Sequence, residues 1–185
     1  GLARGHEYVH QAIADPVIRS LVSRLMLEEA APTIAAAGDQ DLPAYAAALI
    51  ARFANPALNH RLLQIAMDGS QKIPQRWLET LAANQQMGRE CPAILQGIAA
   101  WLLHVRGDVR PVDDPLAQTL AACWRAQGER GVCAAIFGPD GVLASDWRPT
   151  AVAIATATAA IGRAASFRVT LASSWPRTTS SRTRR

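Results

Sequence analysis

Residues 55–76 read NPALNHRLLQIAMDGSQKIPQR, and they contain a pattern that recurs along most of the chain. An Asn-Pro pair starts a segment with apolar residues at helical spacing, Asp68-Gly69 interrupts it, and Pro74 follows. Proline is favoured in the first turn of a helix, and an Asn or Asp before it supplies a cap. The stretch therefore predicts a helix, a turn and a second helix that begins at Pro74.

Similar helix-start and helix-end signals occur on both sides of this stretch. Further helix starts are predicted at Asp15-Pro16, Asp41-Leu42-Pro43, Pro92 and Asp114-Pro115, and Gly128 is predicted to end a helix. No segment shows the sustained alternation of apolar and polar residues that is typical of a half-buried strand. Residues 1–137 therefore predict an all-α, multi-helix fold.

Charge is unevenly distributed along the 185 residues. Residues 1–146 carry twelve basic and all fifteen acidic residues, a net charge of −3, whereas residues 147–185 carry seven arginines and no acid. The basic excess lies outside the predicted helical part, so it does not indicate a nucleic-acid-binding domain. The weakly polar run over 151–161 is too short to span a bilayer. We expect neither a nucleic-acid nor a membrane partner.

The number and spacing of the cysteines indicate the cellular compartment. The three cysteines form no CxxC pair, and an odd, sparse count indicates buried thiols in a reducing compartment, which predicts a cytoplasmic protein. The chain opens at Gly1 without an initiator Met, so we expect it to be a piece of a longer protein.

The composition changes after residue 138, which divides the chain into a helical domain (1–138) and a basic tail (139–185). Of the 39 residues in 147–185, 21 are Ala, Thr or Ser, and no acid occurs. Three interpretations stay open: a disordered low-complexity tail, an arm for an acidic surface, and the product of a reading-frame shift.

Residues 6–10 spell HExxH, the signature of many zinc hydrolases. At helical spacing His6 and His10 share one face, Glu7 is a candidate general base, and Glu28 or Glu29 is a candidate third ligand. The simpler interpretation is an ordinary amphipathic helix. A zinc hydrolase therefore remains a less favoured alternative.

Lys72 is the only lysine in a chain with 18 arginines. It lies just before the predicted helix start at Pro74, where free backbone N–H groups and the positive end of the helix dipole are expected. His60, Gln64 and Asp68, at i, i+4 and i+8, form a polar stripe that leads to it. Lys72 and Gln64 are therefore candidate contacts for a hydroxyl-rich or carboxylate-bearing small molecule. The alternative is a capped turn in which Asp68 and Lys72 pair.

RFANP (52–56) and DGSQKIPQR (68–76) resemble the polyol-specific long-chain dehydrogenase family, which includes mannitol 2-dehydrogenases and fructuronate reductases (mannonate oxidoreductases). RGHEYVH (4–10), Asp15-Pro16 and EEAAPT (28–33) resemble the start of that family's C-terminal domain. The resemblance covers about residues 1–137. It implies a helical substrate domain like the C-terminal domain of 6-phosphogluconate dehydrogenase, with the Rossmann domain absent from this chain.

The resemblance also implies a reaction. It is NAD-dependent hydride transfer between a sugar alcohol or hexonate and its keto form, with NAD bound by the missing N-terminal domain and no metal. No catalytic residue falls in this fragment, which we expect to be inactive alone. The implied substrate-binding residues are Lys72 and Gln64, and Gln at position 64 favours the fructuronate reductase type. The implied partner is a small-molecule polyol or hexuronate. The alternative from another class is a non-catalytic helical interaction module with a basic arm.

Overall fold

The computed structural model describes residues 1–34, 41–143 and 145–173, with side chains up to residue 163, and this part of the chain is helical. The helices are α1 (Val9–Ala14), α2 (Pro16–Arg24), α3 (Leu42–Ala54), α4 (Leu62–Ala66), α5 (Gly69–Ile73), α6 (Glu79–Gln86), α7 (Pro92–Val105), α8 (Ala117–Phe137) and α9 (Ala151–Ser173). In these ranges there is no strand, and Tyr8 and Arg61 form an isolated β-bridge. The predicted all-α class is confirmed.

Short non-α turns connect several helices. Single 3₁₀ turns occupy Leu2–Arg4, Ala31–Thr33 and Pro56–Leu58, and π-helical turns occupy Leu25–Ala30 and Pro74–Leu78. Over the described ranges, none of the helices combines the length and the apolar character that crossing a bilayer requires.

Local capping signals place several helix starts. The Asp15 carboxylate accepts the Val17 N–H at 2.9 Å at the start of α2, and Asp41 accepts the Ala44 N–H at 2.9 Å at the start of α3. Pro92 is the first residue of α7. The two aspartates accept hydrogen bonds from backbone N–H groups that have no partner within the helix. Pro92 has no N–H group, so none is left without a partner at that position. These predicted starts are confirmed.

Pro74 lies inside a continuous helical run, so the predicted helix start at this residue is wrong. α5 passes into the π turn that begins at Pro74, and that turn leads directly into α6. Ile73 and Pro74 both have right-handed helical backbone angles. Because proline lacks an N–H and its ring crowds the carbonyl one turn earlier, a wider π turn accommodates it. The run begins at Gly69, after Asp68 in the left-handed region (φ 54°).

α7 is the central helix of the described part. Nine of its fourteen residues are buried, which is typical of a helix that neighbours cover on all sides. The core around it also contains buried residues of α6, α8 and α9 and the Trp147 side chain after α8. Phe137 lies 6.0 Å, centroid to centroid, from both Trp101 and Trp147.

Glu29 caps α7 from 64 residues away in sequence. Its buried carboxylate accepts the Ala93 N–H at 2.6 Å and the Ile94 N–H at 2.7 Å. The Glu29 carbonyl accepts a hydrogen bond from Asn84 at 2.8 Å. A carboxylate at a helix N-terminus satisfies two free donors and interacts favourably with the helix dipole. Glu29 therefore fixes the position of α7 relative to the N-terminal helices.

The three cysteines are free thiols, and Cys91 and Cys133 are buried. Burial, together with the nearby Glu29 carboxylate, raises the pKa of the Cys91 thiol to about 11. Burial alone raises the pKa of Cys133 to about 11. Both thiols therefore remain protonated and unreactive near neutral pH.

α8 is interrupted where the sequence predicts the end of a helix. Gly128 has non-helical backbone angles (φ 61°, ψ −169°), and the helical residues on either side belong to two segments that meet at this kink. The predicted helix end at Gly128 therefore agrees with the structure.

The described part of the chain after residue 138 contains a helix that packs against the core. Leu143, Trp147, Ala157, Ala160 and Ile161 are buried in the core. Among the described helices, the most extensive contact is between α7 and α9. Small alanine side chains let α9 approach α7 closely, so a composition typical of disorder forms a packed helix here. The division into 1–138 and 139–185, and the frame-shift hypothesis, stay predictions, and residues 174–185 lie outside the described part.

Candidate functional site

The loop that precedes α8 fixes the first turn of α5. The Ser70 N–H donates to Asp114 Oδ2 at 2.8 Å, and the Ser70 hydroxyl donates to Asp114 Oδ1 at 2.6 Å. The Asp68 N–H donates to the Asp113 carbonyl oxygen at 3.0 Å. Because these bonds join segments 44 residues apart, α5 and the side chains it carries hold a fixed position.

Lys72 lies in the last turn of α5, and its side chain is half-buried. Its Nζ donates to the Met67 carbonyl oxygen at 2.6 Å, and its backbone N–H donates to the Asp68 carbonyl at 3.0 Å. The ion pairs found in the described residues involve other side chains, so the Asp68–Lys72 pair considered from the sequence is not formed. An ammonium group has three donors. Two of them therefore remain for a ligand.

Lys72 lines a cavity of about 370 Å³. The cavity lies between α5 with the π turn after it, α7, α4 and residues 1–3. Its volume is within the range of pockets that hold small molecules. Lys72 therefore lies beside a concave surface, which neither Gln64 nor His60 lines. Its role as a substrate contact stays a prediction.

Two tryptophans form apolar walls of the cavity, and two glycines let them approach the backbone. Trp101 is 8% exposed, and a Cβ at Gly69 would overlap its indole Nε1. A Cβ at Gly97 would lie 2.8 Å from the Trp77 ring. Among the described residues, Trp101 Nε1 has no hydrogen-bond partner. Aromatic faces of this kind suit the C–H surface of a small ligand.

The polar side of the cavity includes two permanent cations, Lys72 and Arg76. Lys72, the exposed Arg76 and the half-buried His104 line it. No Asp or Glu is found among the described residues that line it, and no ion pair in the described ranges involves Arg76. Ammonium and guanidinium groups are strong donors to hydroxyl and carboxylate oxygens. The arrangement therefore favours an oxygen-rich ligand.

Gln64 is not brought into this cavity. Leu62 and Ile65 of α4 line the cavity, whereas Gln64 is exposed and does not. His60 is also exposed and precedes α4, because Asn59 adopts the left-handed region (φ 47°) and ends the short turn before it. The predicted helical stripe through positions 60, 64 and 68 is therefore wrong. The assignment of Gln64 as a substrate contact stays a prediction.

The HExxH string does not form a helical face. α1 begins at Val9, so His6 and Glu7 precede it, and His6 Nε2 lies 3.2 Å from Asp15 Oδ2. Glu29, the candidate third ligand, binds the N-terminus of α7. In the part of the chain that the structure describes, no group of three or more His, Cys, Asp or Glu is placed to hold a metal ion. His10 lies in α1 but His6 does not, so the predicted shared helix face of the two histidines is wrong.

Asp15 connects the first residues to α2. It accepts a hydrogen bond from Arg4 Nε at 2.6 Å in addition to its capping bond to the Val17 N–H. Burial raises the pKa of this carboxyl, but the hydrogen bonds from Arg4, His6 and Val17 together lower it by more. Its pKa therefore lies well below the ordinary value. Asp15 therefore holds in place the segment that forms one edge of the cavity.

Sequence reasoning missed the part of the site on α7. Gly97, Ala100, Trp101 and His104 all line the cavity. Their spacing of three, one and three residues places them on one helix face. This pattern was visible in the sequence, but only the contact with α5 identifies the face as a cavity wall.

Comparisons with known proteins are consistent with this arrangement. Residues 1–141 match the mannitol dehydrogenase C-terminal domain family. The chain is 36% identical over 166 residues to the D-mannonate oxidoreductase of Escherichia coli K12, which covers 86% of this chain and 34% of that protein. It is 33% identical over 127 residues to the mannitol 2-dehydrogenase of Phaeosphaeria nodorum. This match covers 66% of this chain and 22% of that enzyme.

A solved structure has the same fold. It is the Pseudomonas fluorescens mannitol 2-dehydrogenase in a ternary complex with NAD and D-mannitol, with a TM-score of 0.76, 21% identity, and coverage of 95% of this chain and 37% of that one. At this identity the likeness shows the fold alone. The chain spans about a third of the length of the D-mannonate oxidoreductase and less of the Phaeosphaeria enzyme.

Proposed function

The chain belongs to the mannitol dehydrogenase C-terminal domain family, and we propose that it is the substrate-binding part of an NAD-dependent oxidoreductase. The proposed reaction interconverts a sugar alcohol or a hexonate and its keto form. The observation that carries the proposal is the half-buried Lys72 in the wall of a cavity without acidic lining residues in the described ranges. The non-catalytic helical module considered from the sequence is not favoured by this family membership.

The residues present do not fit a dinucleotide. The described part contains no parallel sheet and no strand–turn–helix unit of the kind that cradles a pyrophosphate. NAD supplies hydride transfer when it is bound, and we propose that residues outside this chain hold it. We assign no catalytic residue to this chain.

Lys72 is the proposed substrate contact, and its hydrogen bonding suits that role. The Met67 carbonyl takes one of the three ammonium donors at 2.6 Å and so fixes the position of Nζ. Two donors remain for substrate oxygens. Because the charge is fixed before the substrate binds, little ordering entropy is lost when it does.

The tryptophan walls complement this polar contact. Trp77 and Trp101 present apolar surface close to the lysine, and a sugar chain has a C–H face opposite its hydroxyl groups. The chain thus binds the substrate and orients it, while its own residues move no proton.

The sparse, free cysteines support a further proposal, that the enzyme is cytoplasmic.

The test is steady-state kinetics of the enzyme that contains this chain together with its nucleotide-binding part. Replacing Lys72 with Met should lower kcat/KM about 10- to 100-fold, because a hydrogen bond to a charged group contributes about 1.5–3 kcal/mol. The matched control is Arg125→Gln, because Arg125 is exposed on α8 and does not line the cavity. An unchanged kcat/KM in Lys72→Met would remove this lysine from the substrate site.

A further inference from the structure

Arg76 is the second permanent cation in the wall of the Lys72 cavity, four residues further along the same helical run. Its side chain is exposed, whereas that of Lys72 is half-buried, so Arg76 is the more solvent-accessible of the two cations. Two like charges four residues apart on one helix face repel each other. In the described residues, no acid lines the cavity to offset that repulsion.

A neutral polyol gives no reason for a second cation. Lys72 is sufficient to donate hydrogen bonds to the hydroxyl groups of a polyol. A second positive charge adds repulsion, because a polyol carries no negative charge to offset it. A carboxylate in the ligand offsets the repulsion between the two positive charges. The guanidinium group also presents two parallel N–H donors that match the two carboxylate oxygens.

We propose that Arg76 determines substrate class by binding the terminal carboxylate of a sugar acid, so that this site prefers a hexonate to the hexitol of the same length. The proposal rests on the proposed function, because it assumes that the cavity is the substrate site. Lys72 contacts the hydroxyl oxygens of the sugar acid, and the more exposed Arg76 contacts its carboxylate. The arginine is a binding residue and takes no part in proton or hydride transfer.

The test compares two probes that differ at one end. D-mannonate carries a carboxylate where D-mannitol carries a hydroxymethyl group, and calorimetric or NMR titration of the full 185-residue chain gives both dissociation constants. We expect the chain to bind D-mannonate about tenfold more tightly, which corresponds to about 1.4 kcal/mol. Arg76→Gln should reduce that preference to within about twofold and leave the affinity for D-mannitol unchanged within the same margin.

Control variants make each outcome decisive. Arg125→Gln, which removes an exposed arginine outside the cavity, should keep the full preference, and Arg76→Lys should keep part of it. Equal binding of both probes by the unmodified chain, or a preference that survives Arg76→Gln, would overturn the role of Arg76 and leave the proposed function standing. Binding of neither probe would overturn both.

Discussion

Removal of the buried Glu29 carboxylate should destabilise the domain far more than removal of an exposed carboxylate. The carboxylate is buried, and it accepts hydrogen bonds of 2.6 and 2.7 Å from two backbone N–H groups at the start of the central helix. Ala93 and Ile94 are 0% and 1% exposed, so water cannot replace the lost acceptor.

The magnitude follows from these two bonds. A hydrogen bond to a charged group contributes about 1.5–3 kcal/mol, and a buried donor left without a partner costs about 1–3 kcal/mol. For Glu29→Ala we expect a loss of about 3–5 kcal/mol in the free energy of unfolding, a large fraction of the 5–15 kcal/mol typical of a domain. Glu29→Gln should lose about half as much, because the amide retains one acceptor oxygen.

The assay is urea unfolding of the 185-residue chain, followed by circular dichroism at 222 nm. Glu28→Ala is the matched control, because Glu28 is the adjacent residue and is exposed. The two alanine variants differ only in whether the lost carboxylate caps α7. If Glu29→Ala and Glu28→Ala unfold within about 0.5 kcal/mol of each other, the capping argument is wrong.

Two further predictions concern the walls of the site. Gly69→Ala should destabilise the chain by about 1–3 kcal/mol and increase the mobility of the Trp101 side chain, because the new methyl group overlaps the indole; unfolding and tryptophan fluorescence measure this, and an unaltered spectrum with wild-type stability would contradict it. Asp15 has a lowered pKa in the folded state, so its contribution to stability is fully present above about pH 5 and is lost as the pH falls below about 4. The stability difference between the wild-type chain and Asp15→Asn should therefore shrink in acid, and a difference independent of pH from 6 to 3 would refute this assignment.

Features that depend on neighbouring residues could be predicted from the sequence. Asp15 and Asp41 cap helices through side chains two or three residues from the N–H groups they bind, so the local pattern contains the whole interaction. The kink at Gly128 is local in the same sense. Lys72 was identified because it is the only lysine, and the structure places it in a cavity wall.

Features that depend on distant residues could not be predicted. Pro74 looks like a helix start, but hydrogen bonds from Ser70 to Asp114 begin the helix five residues earlier. The residues around α9 resemble a disordered tail in composition, yet Ala157 and Ile161 are buried because α7 presents an apolar surface to them. Gln64 was grouped with Lys72 by helical spacing, which the short α4 does not continue. In each case the deciding partner lies far away in sequence.

We propose that the lysine-lined cavity between α5 and α7 is the substrate site. A crystal structure of the chain with D-mannonate tests it most directly. We expect ligand oxygens within about 3 Å of Lys72 Nζ, the usual distance for a charged hydrogen bond, with the C–H face of the ligand against Trp77 and Trp101. Ligand density elsewhere on the domain, or a ligand bound through Gln64 with no contact to Lys72, would contradict it.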